Sequence, residues 1–203
     1  IDDKIVAYTN IEEAIQGTDI ILHVTPSKFV RSTIKKYEKY VKNQPIIMCA
    51  KGIEKDSLAT LSQVIEEELP DKKYGILSGP SHAEEVAMQI PTAVVFASKD
   101  EKLQNLVQDV FMNENMRVYS SSDVIGVEVG GALKNIIAFC AGIAIELNLG
   151  DNSFAALITR GLVEIRKLGI AMGGNQETFY GLSGLGDLIV TCMSEHSRNR
   201  RAG

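Results

Sequence analysis

The sequence has no excess of basic residues. Its 203 residues include 21 lysines and arginines against 26 aspartates and glutamates, which gives a formal net charge of −5 and a pI near 5.3. Proteins that bind nucleic acids in general are usually basic, because they must neutralise phosphates. The composition therefore argues against a general nucleic-acid binder, and any anion site must come from a local cluster of basic side chains.

Cysteine is scarce as well. Cys49, Cys140 and Cys192 are odd in number, far apart and each within an apolar segment. Disulfide frameworks use paired cysteines in oxidising compartments, so these three are predicted to be reduced core residues of a cytoplasmic protein. The sequence has no C-x-x-C and no spaced set of His and Cys, so no metal site is predicted.

Long apolar runs are also missing. The longest, around 136–145, contains Gly142 and starts beside Lys134, so no membrane span is predicted. No signal peptide is visible. The chain begins at Ile1 without Met and stops at Gly203 as a new helix begins, which predicts an internal piece of a longer protein.

The first part of the chain alternates strand-like and helix-like segments. One helix is predicted to be capped by Asp56 or Ser57. Repeated βα units with unbroken apolar strands predict a largely parallel sheet covered on both faces. The strand-like runs are KIVAYT (4–9), DIILHVTP (19–26), PIIMCAKG (45–52), YGILSGP (74–80), TAVVFAS (92–98) and MRVYSS (116–121).

After about Ser121 the pattern becomes helical. Long helices are predicted over 123–149 and 152–173, the second capped by Asn152, and a short one over 187–194. The predicted fold class is therefore α/β followed by all-α, with two domains that meet near residues 119–123. A cleft between two domains is a favoured place for a ligand site.

Lys134 lies near the middle of the first long helix. Its neighbours at helical spacing are all small, and a small stripe lets another helix or a ligand approach the backbone. Two interpretations stay open: a lysine that snorkels beside a tight helix contact, or a recessed ammonium with a shifted pKa that is available for acid–base chemistry. The small neighbours are Gly130, Gly131, Ala138, Ala141 and Gly142.

Three loops follow three apolar strands, at 25–26, 51–52 and 79–81. Ligands of open α/β sheets bind outside the carboxyl ends of the strands. Lys51 in the second loop suits an anion or a polarised oxygen, although a solvated strand-end lysine is the simpler explanation of this residue taken alone.

The third loop leads into a predicted helix. Ser81 and Glu84 fit the S-x-x-E capping box, which predicts a helix N-terminus that faces the strand ends. Its free N–H groups suit a phosphate or a carboxylate. His82 is set aside, because a single histidine at the start of a helix is commonly a surface residue.

The segment 182–203 combines glycine with charge. Gly184 and Gly186 permit a close turn before Asp187, which is predicted to open a short helix. Ser197 can cap a further helix, and three arginines follow it within four residues. Arginine binds phosphate through two parallel hydrogen bonds, so this cluster predicts a phosphate site, with a solvated basic patch as the alternative.

One small phosphorylated substrate in a cleft between domains would account for the charged residues singled out above. Spacing alone does not show that these residues meet. They are Lys51, Lys134, Asp187 and Arg198.

Six segments together resemble the NAD(P)-dependent glycerol-3-phosphate dehydrogenase family in its bacterial form. The resemblance covers nearly the whole chain, and the order of the six makes it specific although each alone is modest. The segments are AKGIE (50–54), GPSHAEEVA (79–87), GALKNIIAFCAGI (131–143), LGDNSFAALITRGLVEI (149–165), GLSGLGDLIVTC (181–192) and SRNR (197–200).

The resemblance implies a fold and a reaction. Residues 1–120 would form a Rossmann-like dinucleotide-binding domain without its first strand and Gly-rich turn. Residues 121–203 would form a helical substrate domain, similar to the C-terminal domain of 6-phosphogluconate dehydrogenase and truncated at its C-terminus. The implied protein is a cytoplasmic homodimer that interconverts sn-glycerol 3-phosphate and dihydroxyacetone phosphate with NAD or NADP, and so supplies glycerol 3-phosphate for phospholipid synthesis.

The resemblance also implies a role for individual residues. Lys134 corresponds to the catalytic lysine, which protonates the carbonyl oxygen as hydride arrives. The implied substrate contacts are Lys51, Gly79, Ser81, Lys134, Asp187, Ser197, Arg198 and Asn199. The implied cofactor contacts are Phe29, Lys51, Ala83 and Arg198.

Part of the family pattern is absent. The chain has no G-x-G-x-x-G turn and none of the residues that read the ribose, so NAD and NADP stay equally open and the cofactor site is expected to be partial. Two other interpretations remain. One is a related dehydrogenase for a different hydroxy acid, against which SRNR argues. The other is a non-catalytic binding or scaffold module in which Lys134 is structural.

Overall fold

The structure, a computed structural model, describes residues 3–203 and combines an α/β part with a helical part. The predicted fold class is confirmed. The strands are β1 (Ile21–His23), β2 (Ile46–Met48), β3 (Tyr74–Ser78), β4 (Thr92–Ala97) and β5 (Met116–Ser121). The helices are α1 (Ile11–Ile15), α2 (Val30–Tyr37), α3 (Leu61–Glu68), α4 (Ala83–Ala87), α5 (Glu101–Phe111), α6 (Val124–Glu146), α7 (Gly150–Ala171), α8 (Asp187–Met193) and α9 (Arg198–Ala202).

The five strands form one sheet in the order β1-β2-β3-β4-β5. Every neighbouring pair is parallel except β3 and β4, so the predicted largely parallel sheet is confirmed with one antiparallel pairing that the prediction did not include. The connection 79–91 contains only the short α4, and an antiparallel neighbour needs no long crossover. The carboxyl ends of β1, β2 and β3 therefore share one edge of the sheet.

The segment 4–9, predicted to be a strand, is not one in the structure. Ile5 is 68% exposed and Val6 64% exposed. Within residues 3–203 the sheet starts at β1, which pairs only with β2. Cross-strand contacts are what stabilise a strand, and this segment has no neighbouring strand among the described residues. The prediction is wrong at this point.

Helix α3 begins later than predicted. Its cap is Thr60, whose side chain accepts the N–H of Gln63 while the Gln63 side chain accepts the N–H of Thr60 at 2.9 Å. This reciprocal capping box satisfies two amides at once. Leu58, two residues before Thr60, has a positive φ of +58°, which is not a right-handed helical conformation. The predicted caps at Asp56 and Ser57 are therefore wrong.

Helix α6 is the central element of the helical part. By length and composition it could cross a membrane, but 56% of its most apolar stretch is buried inside the protein, where it packs against α7, α8 and α9. The helix buries its small-residue stripe, including Gly131 and Ala138, whereas Ile136 and Leu147 are 62% and 63% exposed. It is a core helix whose closest contacts are made through glycine and alanine.

The turn from α6 to α7 is short. Asn148 and Gly150 both have positive φ, +52° and +79°. This turn starts α7 at Gly150, directly after Leu149. The predicted cap at Asn152 is therefore wrong, because the turn places that residue inside the first turn of the helix.

Helix α6 belongs to two apolar cores. Val124 and Val127, at its start, pack in the cluster that covers one face of the sheet together with α2 and α3. Ile137, further along, packs in the cluster of the helical part. Leu103 and Val107 of α5 cover the other face of the sheet. Since α6 is continuous, it runs from the sheet into the helical part; a domain boundary at residues 120 and 121 stays a prediction.

Candidate active site

The small-residue stripe of α6 brings its backbone against the sheet edge. A Cβ atom at Gly131 would lie 2.8 Å from Ser78 Oγ and 3.6 Å from Lys51 Cδ, so only glycine fits where α6 passes the ends of β2 and β3. One turn further along, Lys134 is only 6% exposed. A snorkelling lysine keeps its ammonium in water, so that interpretation does not describe Lys134.

Asp187 joins two lysines that come from different parts of the chain. It is the first residue of α8, as predicted, and is 1% exposed. Its Oδ2 accepts a hydrogen bond from Lys51 Nζ at 2.6 Å, and its Oδ1 accepts one from Lys134 Nζ. Lys134 also donates to Thr191 Oγ1 at 2.7 Å, and Lys51 to the carbonyl oxygen of Gly79 at 3.1 Å. Two ammonium groups around one carboxylate leave the cluster able to accept an anion or a polarised oxygen.

Burial shifts the acid–base behaviour of Lys134. Its pKa is lowered from 10.5 to about 8, first because the ammonium is removed from water and second because Lys51 is also positive. The carboxylate of Asp187 opposes both effects. A group with a pKa close to the working pH can both give and take a proton. The geometry therefore supports the acid–base interpretation of Lys134.

The loop after β3 lies against the same cluster. Gly79 has φ of +139°, and a Cβ atom there would lie 3.0 Å from the backbone of β4. The exposed Ser81 donates its hydroxyl to the carbonyl oxygen of Gly79 at 3.3 Å. It caps no helix: α4 begins after His82, without a side-chain cap. The predicted capping box of Ser81 with Glu84 is wrong, because the hydroxyl is turned back into its own loop.

The loops after β1 and β2 contact each other. Gly52 has φ of +145°, and a Cβ atom there would lie 2.6 Å from Ser27 Oγ. Phe29, in the turn that follows β1, exposes 48% of its surface, and Lys28 Nζ lies 4.7 Å from its ring centre. Ala83 is exposed after β3. Phe29 and Ala83, two of the four predicted cofactor contacts, thus follow strands that end at one edge of the sheet, which fits a planar ligand at that edge.

The basic segment forms the short helix α9. Ser197 caps it as predicted, accepting the N–H of Arg200 at 3.2 Å. Arg198 and Asn199 are exposed, and Arg198 forms no ion pair within residues 3–203. The helix packs on the small stripe of α6 at Gly142, which is about 12 Å along the helix from the catalytic candidate.

Two histidines connect the loop after β3 with the loop before α9. The ring centres of His82 and His196 are 5.9 Å apart, and Nε2 of His82 is buried without a hydrogen-bond partner among the described residues. His82 follows Ser81 directly and His196 precedes Ser197. The contact therefore brings together two segments that were predicted to bind the substrate, although the sequence interpretation had set His82 aside.

Sequence reasoning missed two polar residues of this region. Thr191 lies four residues after Asp187, so helical spacing already places it on the same face of α8. Glu128, buried in α6, accepts two hydrogen bonds from Ser62. Its signal in the sequence is the same as that of Lys134, a lone charge inside an apolar helix.

The cysteines take no part in this site as nucleophiles. All three are free, and burial raises the pKa of the Cys49 and Cys192 thiols to about 11. Since the thiolate is the reactive form, these two are inert near neutral pH. Among residues 3–203, no group of three or more His, Cys, Asp or Glu side chains is placed to hold a metal ion.

Fold and site together define an α/β protein with a helical second part and a cluster of two lysines and an aspartate at the carboxyl ends of its parallel strands, between the two parts. The chain belongs to the NAD-dependent glycerol-3-phosphate dehydrogenase family. Residues 1–104 match the family model of the N-terminus, and residues 123–203 match that of the C-terminus.

Curated relatives show the same likeness. The glycerol-3-phosphate dehydrogenase [NAD(P)+] of Fusobacterium nucleatum is 57% identical over 197 residues, covering 96% of this chain and 59% of that protein. The one from Clostridium perfringens strain 13 is 50% identical over 204 residues, covering 100% of this chain and 62% of that protein. The chain thus spans about 60% of the length of the curated relatives it matches.

Solved structures agree in fold. Glycerol-3-phosphate dehydrogenase from Coxiella burnetii superposes with a TM-score of 0.92 at 40% identity, covering 96% of this chain and 60% of that one. Glycerol-3-phosphate dehydrogenase GPD1 from Saccharomyces cerevisiae gives a TM-score of 0.86 at 29% identity, covering 98% of this chain and 60% of that one. The α/β part and the helical part are therefore arranged as in these proteins.

Proposed function

We propose that the full-length protein interconverts sn-glycerol 3-phosphate and dihydroxyacetone phosphate by hydride transfer with NAD or NADP. The observation that carries the proposal is the buried cluster of Lys134, Asp187 and Lys51 at the carboxyl ends of the strands. The match to both family models supports it.

Lys134 is the general acid of reduction. A nicotinamide cofactor, when bound, supplies the hydride that adds to C2 of dihydroxyacetone phosphate. Lys134 gives its Nζ proton to the C2 oxygen in the same step, so that the product is an alcohol and not an alkoxide. In the reverse direction the neutral amine takes the proton back. A pKa of about 8 keeps both forms accessible.

Asp187 and Lys51 position Lys134 and set the charge around its ammonium group. Asp187 binds both ammonium groups through separate carboxylate oxygens. Thr191 accepts a further hydrogen bond from Lys134 Nζ and so restricts the orientation of that group. The Lys51 ammonium lies beside the reacting oxygen, where it stabilises negative charge that develops in the transition state. Lys51, like Arg198, is assigned to contact both the substrate and the cofactor.

The substrate phosphate binds beyond this cluster. Gly79 and Ser81 supply the loop after β3, while Ser197, Arg198 and Asn199 supply the start of α9. The contact between His82 and His196 supports a common site for the two segments. Phe29 and Ala83, with Lys51 and Arg198, contact the cofactor.

The wider context is part of the same proposal. Residues 1–120 form the dinucleotide-binding domain and residues 121–203 the helical substrate domain. The enzyme works as a homodimer in the cytoplasm and supplies glycerol 3-phosphate for phospholipid synthesis. Light scattering on the full-length protein checks the dimer: a monomer at micromolar concentration contradicts that part alone.

The decisive experiment measures cofactor oxidation by the full-length protein with dihydroxyacetone phosphate and with unphosphorylated dihydroxyacetone. We expect turnover of the phosphorylated substrate and a loss of about 10²–10⁴-fold in kcat in Lys134→Ala, with cofactor affinity nearly unchanged. Lys167→Ala, an exposed lysine of α7, is the matched control.

Three outcomes would contradict the proposal. Normal kcat in Lys134→Ala removes that residue from the mechanism. Turnover of hydroxy acids without any turnover of dihydroxyacetone phosphate indicates a related dehydrogenase with another substrate. A complete lack of turnover with either cofactor, in a folded protein, favours a non-catalytic module.

A further inference from the structure

Glu128 is a second buried charge of α6, and proton transfer at Lys134 does not use it. It is 5% exposed. Its Oε1 accepts the backbone N–H of Ser62 at 2.9 Å, and its Oε2 accepts the hydroxyl of Ser62 at 2.6 Å. Ser62 is the second residue of α3, where the helix itself offers its N–H no partner. A carboxylate of the long helix thus completes the N-terminus of α3.

The loop 49–60 connects this N-terminus to the active site. It begins after β2, carries Lys51 and ends at Thr60, whose Oγ1 lies 2.9 Å from Ser62 Oγ. Ile53 and Thr60 form a bridge, and the N–H of Glu54 donates to the carbonyl of Ala59 at 2.9 Å. These contacts close the loop between Ile53 and Thr60, so a closed loop joins the α3 N-terminus to the segment that carries Lys51.

We propose that Glu128 is a positioning residue: by holding the N-terminus of α3 against α6, it sets the distance between Lys51 and Lys134 around Asp187. One rigid helix carries both Glu128 and Lys134, so the hydrogen bonds to Ser62 fix one lysine relative to the other. The kinetic consequence rests on the proposed function, whereas the structural consequence does not.

Hydrogen-bond capacity distinguishes three side chains at position 128. Glutamate accepts both bonds from Ser62. Glutamine accepts the N–H through its carbonyl oxygen and donates its amide to the Ser62 hydroxyl, which then donates to Thr60. Burial raises the pKa of the Glu128 carboxyl, and the bonds from Ser62 oppose the shift. Alanine leaves the Ser62 N–H buried without a partner.

The test compares Glu128→Gln and Glu128→Ala in the full-length protein. Glu128→Ala is expected to lower kcat with dihydroxyacetone phosphate by about 10–100-fold, because small displacements of reacting groups have effects of that size. Glu128→Gln should stay within about threefold of wild type, since it restores the contacts. Glu66→Ala removes an exposed glutamate from the same α3 and should leave kcat unchanged.

Hydrogen exchange gives a readout that does not depend on catalysis. Amides of residues 51–62 should exchange faster in Glu128→Ala than in wild type, with wild-type rates in Glu128→Gln and Glu66→Ala. If the wild type turns over no dihydroxyacetone phosphate, the proposed function fails while exchange still decides the role of Glu128.

Wild-type exchange over 51–62 together with wild-type kcat in a folded Glu128→Ala overturns the inference. Equal losses in Glu128→Ala and Glu128→Gln overturn it too, because a positioning contact would be restored by glutamine. Where Glu128→Ala does not fold, Ser62→Ala removes the hydroxyl contacts with Glu128 and Thr60 and keeps the N–H bond to Glu128. It should speed exchange at residues 60–62 and lower kcat several-fold, and unchanged exchange there rejects the proposal.

Discussion

Lys134 shows how burial converts an ordinary lysine into an acid with a useful pKa. Its nearest groups are one carboxylate, one hydroxyl and one other ammonium. Desolvation is the largest cause of the lowered pKa, and the second ammonium acts in the same direction. Asp187 limits the shift, so the group stays within reach of physiological pH instead of becoming a permanently neutral amine.

The first prediction concerns the pH dependence of this residue. Reduction needs the ammonium, so kcat/KM for dihydroxyacetone phosphate should fall as pH rises through about 8. Oxidation needs the amine, so kcat/KM for glycerol 3-phosphate should fall as pH drops through the same value. Profiles in both directions provide the measurement. A midpoint near 10.5, the ordinary lysine value, would contradict the structure.

The second prediction concerns Arg198, which is exposed and forms no ion pair among the described residues. Arg198→Lys keeps the charge and loses the planar donor pair. KM for dihydroxyacetone phosphate should rise about tenfold, the cost of one charge-assisted hydrogen bond. With unphosphorylated dihydroxyacetone the change should be small.

Arg160→Lys, on the exposed side of α7, is the matched control for this substitution and should leave both KM values unchanged. Equal effects of Arg198→Lys on the two substrates would mean that Arg198 does not bind the phosphate.

At the scale of elements, the small stripe of α6 is what lets a helix lie against strand ends. Glycine at 130 and 131 removes the side chains that would separate α6 from the sheet edge and from the carbonyl of Ser183. Helix α9 packs against the same stripe at Gly142. The exposed large apolar residues of the helix, by contrast, contribute little to these contacts. The position of α6 therefore depends on the absence of large side chains from its buried face.

The third prediction tests this contact. Gly131→Ala places a methyl group 2.8 Å from Ser78 Oγ and against the Lys51 stem, so it should lower kcat by about tenfold or more. Gly161→Ala, in α7, meets Ile137 at the same 2.8 Å and is the matched control. Both should cost about 1–3 kcal/mol of stability, measured by urea unfolding. Equal kcat in the two variants would contradict a specific role of the α6 stripe.

At the scale of the whole molecule, Asp187 ties the helical part to the α/β part. It sits on α8, while Lys51, 136 residues earlier, comes from the end of β2. The bond is buried on the Asp187 side and partly exposed on the Lys51 side. A buried ion pair adds little net stability compared with an apolar pair, yet breaking one partner leaves uncompensated charge.

The fourth prediction concerns Asp187→Asn. Removing the charge leaves the buried ammonium of Lys134 and the partly exposed one of Lys51 unopposed, which should cost about 3–5 kcal/mol in the free energy of unfolding at pH 7. The folded-state pKa of Lys134 lies below its unfolded value, and losing Asp187 lowers it further. The unfolded state then binds more protons than the folded state over a wider pH range, so stability should begin to rise towards alkaline pH at a lower pH than in wild type.

Kinetics give an independent check of the same substitution. The midpoint of kcat/KM for reduction should move below that of the wild type. Asp109→Asn, an exposed residue of α5, controls for the loss of one negative charge. An unmoved midpoint in Asp187→Asn would show that Asp187 does not set the pKa of Lys134.

The sequence by itself determined which segments are helices and strands after the first few residues. The two long helices, the start of α8 at Asp187 and the cap of α9 at Ser197 are encoded in periodicity and in single capping residues, which act over one turn. The caps at Asp56, Ser57 and Asn152 were wrong because several residues near each helix start can cap, and the adjacent turns decided which one does. The strand at 4–9 failed because β structure needs a neighbour that local sequence does not specify.

Only the tertiary structure decided the meeting of Lys51, Lys134 and Asp187. Their spacing carries no information about distance in space. One phosphorylated substrate in a cleft would account for them, and the family resemblance implied their roles, but neither showed that they meet. Burial, the shifted pKa of Lys134 and the role of Glu128 also depend on which elements cover each side chain. These properties arise from desolvation and from charges brought together by packing, which no local pattern of residues contains.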